Sequence, residues 1–345
     1  MLVRATLLSA VSCCIGLVTT GAARAATLRV PQQYATIQAA VDAAAPGDRI
    51  RVGAGRYCGA TLTKTVRLEG HGRARIIGCD TSPTINTRLR AGFYLPGVKG
   101  VNPASGSRIR GFVFDGEGVS NANLSPLSFG VFARFANDVV VQQNRFEGTV
   151  QAITNTGGDG WRIEHNRIRQ LTVLDCTGYC TGGDGIVIAL ARGAIAADGG
   201  SEAAVNRPED NLIRKNRIEG SAPDGFGTFS LAGVLLLSAD HTTVLSNQLF
   251  MRDNPNADAV GQGILVSNTC CGLTTAFLPG SRFTTLAFND GRQSEVGIVV
   301  EGSGGANTEG LFMLKNRGTS SIEGTLRLAA AARSVLGPVR AQPTL

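Results

Sequence analysis

From residue 130 onward the chain repeats a short apolar alternation that nearly always opens on glycine: GVFARF at Gly130, AITNT at Ala152, GIVIAL at Gly185, GVLLLS at Gly233, GILVSN at Gly263 and GIVVEG at Gly297. Period-two alternation predicts strands with one face in a core. A second apolar element built on an asparagine follows: VVVQQNRFEG (139–148), WRIEHNRIRQ (161–170), NLIRKNRIEG (211–220), TTVLSNQLF (242–250) and LFMLKNRGTS (311–320). Aligning Asn144, Asn166, Asn216, Asn247 and Asn316 puts Val141, Ile163, Ile213, Val244 and Met313 three positions earlier. Phe146, Ile168, Ile218 and Leu249 follow two positions later, with Gly318 the exception.

The spacing is regular. Val131 to Asn144, Ile153 to Asn166 and Val234 to Asn247 are each 13 residues, and Val131 to Ile153 is 22. From Ile186 to Asn216 the gap widens to 30, which the polar Gly/Ala-rich stretch around residues 191–210 explains as a loop. An insertion after GILVSN leads to TTLAFND, where Asn289 is a further candidate for the same position. A period of roughly 22 residues with three short strands predicts an all-β solenoid, a single-stranded parallel β-helix whose coils stack about 4.8 Å apart. A propeller blade would need about 40 residues. Equivalent asparagines then form a ladder of amides bonded to one another and to the turn backbone. On this alignment WRIEHNRIRQ, which holds the single tryptophan beside a histidine, is a core-and-ladder element. His165 takes a solvent-facing turn position, and a surface contact by Trp161 or His165 is the alternative.

The start adds a helix. Thr36 caps a segment whose Ile37, Ala40, Val41 and Ala44 share one face, ended by Pro46-Gly47, and DRIRV then supplies a first strand. The stretch LRVPQQYATIQAAVDAAAPGDRIRVGAGRY, KTVRLEGHG and the repeated N-R-I coils closely resemble the right-handed parallel β-helix proteins of the pectin-lyase-like superfamily over about residues 27–320. The resemblance implies a right-handed solenoid over 26–325, closed by an N-terminal capping helix, with a cap or tail over 326–345. It also implies a groove along one strand face where carboxylates act on sugars.

MLVRATLLSAVSCCIGLVTTGAARA, residues 1–25, has the basic start, apolar run and small-residue end of an export signal, so the expectation is a secreted or periplasmic protein. Cys13 as a lipid anchor fits poorly. No other segment is apolar enough for a membrane span. Losing Arg4 and Arg24 takes the net charge from +7 to +5, with the remaining arginines scattered along the chain rather than clustered for nucleic acid. That charge suits an acidic partner such as a uronate polysaccharide. Six cysteines remain, favouring disulfides in an oxidising compartment. Cys58 with Cys79 and Cys176 with Cys180 are the natural pairs by proximity, and Cys270–Cys271 is left strained or free.

The chemistry is less legible. Against the polygalacturonase motifs the resemblance brings in, the chain shows Asn155-Thr156-Gly157, Arg162-Ile163-Glu164, no Asp-Asp pair, and a Gly-His-Gly at 70–72 that reads as a turn. By alternation Phe132, Arg134, Thr154, Thr156, Val187, Ala189, Leu235, Leu237, Leu265, Ser267, Val299 and Glu301 face outward, too apolar for a carboxylate cluster. Leu235 and Leu237 call for a covering loop or partner. The remaining acids are Asp159, Asp184, Asp224 and Asp258, of which the last three precede successive first strands, so that their loops would stand side by side at one edge of the groove. Asp184 and Asp224 are the leading catalytic pair, Arg252 a substrate anchor, and Asp258 and Asp159 further binding positions, with calcium as the cofactor such a site would take. Asp-Gly is also an ordinary turn pair. Two readings stand open: an exported protein that binds, and on its enzymatic version cleaves, a uronate-type glycan as lyase or hydrolase; or a noncatalytic, adhesin-like scaffold for a protein partner.

Overall fold

The computed structural model of the protein describes residues 25–85, 88–120, 122–174, 183–190, 207–221, 230–257, 260–267, 280–301, 308–322 and 327–328. Residues 1–24 of the expected export signal, nearly all of the expected C-terminal cap, Asp224, Asp258, Cys176, Cys180, Cys270 and Cys271 lie outside them.

The alternating segments form strands that pair with the equivalent strand of the next coil rather than with their sequence neighbours. One sheet, here the glycine sheet, runs through Ala60–Thr61, Leu89–Leu95, Leu127–Arg134, Gln151–Thr156, Asp184–Ala189, Ser230–Leu237, Val260–Ser267, Val296–Val300 and Ser320–Ile322. The other, the ladder sheet, takes strands from both sides of each asparagine, such as Val140–Gln142 with Arg145–Glu147 and Arg162–Glu164 with Arg167–Leu171. Named strands pair in parallel, except Thr84–Ile85 against Leu89–Arg90. The register is continuous: Val141 pairs with Ile163, Ile163 with Ile213, Ile213 with Val244, Val244 with Leu286 and Leu286 with Met313. Long-range parallel pairing of successive coils is the architecture of a parallel β-helix.

One feature differs from the sequence expectation, while the helix forms where it was expected. The first strand is Thr27–Val30, which pairs in parallel with Arg49–Val52, so DRIRV supplies the second strand. The helix is Ile37–Ala43: Thr36 Oγ1 accepts the Ala39 N–H at 3.1 Å, and Ile37, Ala40 and Val41 enter the same core as the strands. Cys58 and Cys79 form a disulfide with Cα atoms 5.4 Å apart.

The asparagine column is a continuous hydrogen-bonded ladder. Asn166 Oδ1 accepts both the backbone N–H (3.0 Å) and the side-chain amide (3.2 Å) of Asn144, and Asn216 does the same for Asn166. The pattern continues through Asn247 and Asn289 to Asn316, so Asn289 is a rung. Each Nδ2 also donates to a carbonyl of the preceding coil, as Asn216 does to Ile163 at 2.9 Å. The residue before each rung, Gln143, His165, Lys215, Ser246, Phe288 or Lys315, takes a left-handed φ of 48–56° that turns the chain inward. His165 is therefore an exposed turn residue. Trp161 is fully buried and donates Nε1–H to the Ala136 carbonyl at 2.6 Å, which removes it as a surface contact.

The glycines that open the alternations form a second column. A Cβ on Gly185 would lie 2.5 Å from the Gly233 carbonyl oxygen, and one on Gly233 2.7 Å from that of Gly263. The constraint is space rather than φ, because the next coil's carbonyl occupies the site where a side chain would begin.

Replacing Asn216 by Ala takes the side-chain partner from the buried Asn166 N–H and from the Ile163 carbonyl and removes one of the two acceptors of the Asn166 amide, while Asn247 Oδ1 keeps the backbone N–H of residue 216. At about 1–3 kcal/mol for each of these two stranded groups the loss should be at least about 2 kcal/mol in urea denaturation. His165→Ala, at an exposed turn, should cost far less.

Candidate functional site

The outer face of the glycine sheet, where the sequence placed a groove, is a buried apolar surface. At its early end Phe129 and Phe132 pack with ring centroids 5.0 Å apart, and Tyr94 lies 6.0 Å from Phe132. Ile85, Leu89, Val119, Leu124 and Leu174 pack around them. Further along, Val187, Ala189 and Leu237 form one apolar cluster and Ala232, Leu265 and Val299 another, with half-buried Leu235 touching both. The cover that Leu235 and Leu237 called for is thus supplied largely within the chain, Leu237 being 5% exposed.

Asp184 sits on this face. In register its neighbours are Gln151 on one coil and Ala232 on the next, followed by Gln262. Its carboxyl is buried, and Oδ1 accepts the Ala232 N–H at 3.1 Å. Burial raises its pKa to about 7, and the single backbone hydrogen bond only partly offsets the cost of desolvating the charge. Among the described residues the register brings no second carboxyl beside it. A glycosidase needs a pair of carboxyls about 5–9.5 Å apart, and Asp224, the expected partner, lies outside the described residues.

The other candidates are dispersed. Asp159 lies in the turn after the glycine-sheet strand Gln151–Thr156, where its carboxylate accepts the Glu209 N–H at 2.9 Å and its own N–H donates to Asn137 Oδ1 at 3.0 Å. Its pKa is raised, chiefly by burial and further by the nearby charges of Glu209, Asp210 and Asp138, while the Glu209 N–H pulls it down. It acts as a coil-to-coil tie. Arg252 ends the ladder-sheet strand Gln248–Arg252 and is exposed, so the register places it in a different sheet from Asp184. Asn155, of Asn-Thr-Gly, is buried and closes its own turn by bonding both the N–H and the carbonyl of Gly158. His71, of Gly-His-Gly, is an exposed residue of left-handed φ inside the strand Arg67–Ile77, where the register shifts between Glu69 and Ala74, so the expected turn is an irregularity within a strand. Asp240, which the sequence did not single out, is fully buried between Arg207 and Arg282. Among the described residues no three His, Cys, Asp or Glu side chains converge to hold a metal ion.

The ladder sheet overturns the expectation of scattered arginines. Stacking places Arg145, Arg167 and Arg217 in register on consecutive coils, with Arg162 and Arg214 close by. The ten strands from Arg49–Val52 to Arg217–Ser221 hold fourteen arginines and five acidic residues. With 33 basic and 26 acidic residues in all, the rest of the chain carries 19 basic and 21 acidic groups. The acids lie beneath: the Glu164 side chain is 6% exposed between Arg162 at 54% and Arg214 at 34%, and Glu69 is 6% exposed among Arg49, Arg51 and Arg110. Burial alone would raise the Glu164 pKa, but the guanidinium groups of Arg214 and Arg162 hold it below the ordinary value.

The solenoid is similar in fold to known parallel β-helix proteins. These include an alginate lyase from Paenibacillus sp. str. FPU-7 (TM-score 0.46, 14% identity, covering 87% of this chain and 99% of that one). A surface adhesin of Streptococcus pneumoniae gives 0.35 at 13% identity, with 82% and 86% covered. The catalytic domain of a GH87 alpha-1,3-glucanase gives 0.38 at 12%, covering 79% of this chain and 53% of that one. No family model and no curated protein matches the sequence. The class of the protein, a parallel β-helix, rests on its own strand register.

Asp184 makes stability pH-dependent. With its pKa raised on folding, the native state holds a proton that the unfolded chain has already released, so stability falls as pH rises from about 4 to about 7 and is flat above. Asp184→Asn keeps an acceptor for Ala232 and should flatten this limb, gaining on the order of a few kcal/mol over wild type at pH 8 in urea melts.

Proposed function

We propose that the protein is an exported, right-handed parallel β-helix that binds polysaccharide along its length without cleaving it. The hand follows the strong preference of parallel crossovers for right-handed connection. On this reading residues 1–25 direct export to the periplasm or beyond, the helix Ile37–Ala43 closes the first coil and the tail from 326 closes the last. The observation that carries the proposal is the glycine-sheet face: among the described residues it is largely buried and apolar, and no second carboxyl stands in register beside Asp184. What remains is a surface that repeats once per coil, about 4.8 Å, which complements a repeating polymer better than a small molecule.

An enzyme is the second reading, favoured by the Asp184 pKa of about 7, which suits a general acid at neutral pH. Incubating the mature protein with uronate and neutral polysaccharides, with and without calcium, separates the two. The binder retains polysaccharide in affinity electrophoresis and yields neither new reducing ends nor unsaturated products. Product formation that Asp184→Asn abolishes establishes the enzyme.

A further inference from the structure

We infer that the arginine row of the ladder sheet is the docking surface for an acidic polysaccharide, with one carboxylated sugar ring opposite each coil. The inference rests on the polysaccharide reading above and adds the face and the charge class. The column Arg145, Arg167, Arg217 runs along the solenoid axis in unbroken register. Arg145 is 48% and Arg217 41% exposed, while the carboxylates they pair with, Glu147 and Glu219, are 16% and 26% exposed. The acids orient the guanidiniums from beneath and leave donors turned outward. Arginine presents a planar fork of donors that matches a carboxylate, so a row of forks at coil spacing suits a linear polymer carrying one carboxylate per ring.

Other polyanions fit less well. A nucleic-acid strand places its charges about 3.4 Å apart, out of step with a coil rise of about 4.8 Å. Base stacking needs free aromatic faces, and the Phe250 ring beside this row is covered by the Arg217 guanidinium at 4.1 Å. A lipid surface is gripped by apolar side chains as well as charge. The exposed large hydrophobics of the described residues, Val98, Val101, Phe283 and Phe288, all lie outside the strands that carry the row.

The test compares the mature wild type with Arg145→Gln/Arg167→Gln/Arg217→Gln and with a control that loses equal charge elsewhere, Arg88→Gln/Lys99→Gln/Arg134→Gln. The probes are polygalacturonate, alginate, a neutral β-glucan and single-stranded DNA, read as dissociation constants at two salt concentrations. Alongside, polygalacturonate is used to protect the wild-type arginines from a dicarbonyl reagent mapped by mass spectrometry, a readout that does not depend on the variants folding. The expected result is polyuronate affinity weakened about tenfold or more in the row variant, close to unchanged in the control, falling with salt, and protection centred on Arg145, Arg167 and Arg217. Equal losses in both variants, tighter binding of DNA, or protection elsewhere overturns the inference. Binding of the neutral glucan as tight as that of polyuronate overturns the inference and leaves the polysaccharide reading standing; binding of no polysaccharide removes both.

Discussion

From Asn144 to Asn316 each coil is held to the next by a side-chain amide that does two jobs. An asparagine oxygen accepts the backbone N–H and the side-chain amide of the rung before it, while its nitrogen reaches a core-strand carbonyl of the preceding coil, as Asn166 does to Val141 at 2.9 Å. A buried polar group is tolerated only when its hydrogen bonds are complete, and here each rung completes its neighbours. The ladder therefore fixes axial register as well as adding stability, and everything else in the molecule is expressed through that register. Ile163 meets Ile213 in the core, the glycine column meets carbonyl oxygens rather than side chains, and Arg145 meets Arg167 on the surface.

The two sheets use that register in opposite ways. On the glycine sheet it stacks Val187 on Leu235 and Leu235 on Leu265, an apolar face that the molecule buries, and Asp184 is drawn into that burial, which raises its pKa to about 7. On the ladder sheet it stacks cations, which repel one another unless acids lie between them. Glu69, Glu147, Glu164 and Glu219 are placed to do this, each within ion-pair distance of at least two arginines. Acids sunk beneath an exposed cationic layer lower its self-repulsion while keeping an outward positive field.

The solenoid was legible in the sequence because its core positions and, from Asn144 onward, its rungs are constrained coil after coil. The six rungs, the apolar positions flanking them and the helix around Thr36 all follow from spacing. Surface chemistry was not legible in the same way. Arg145, Arg167 and Arg217 are separated first by 22 residues and then by 50, and only the alignment of rungs shows that an insertion intervenes. Counted along the chain they are scattered; counted by coil they are a row. Asp159 and Asp184 both stand beside glycine in Asp-Gly pairs, yet one ties two turns together and the other is buried on a strand. Trp161 drew attention by its rarity and is core, because its position repeats that of Val139, which is also buried.

Deletion probes the register directly. Removing residues 145–166, the 22 that separate one rung from the next, lets Asn144 take the place of Asn166 against Asn216 and keeps every strand on its face. Removing 21, residues 146–166, shifts the following strand by one position, which turns its apolar side outward. The 22-residue deletion should melt in a single cooperative β-sheet transition by circular dichroism, well above any transition of the 21-residue deletion. Two deletions that melt alike would contradict this.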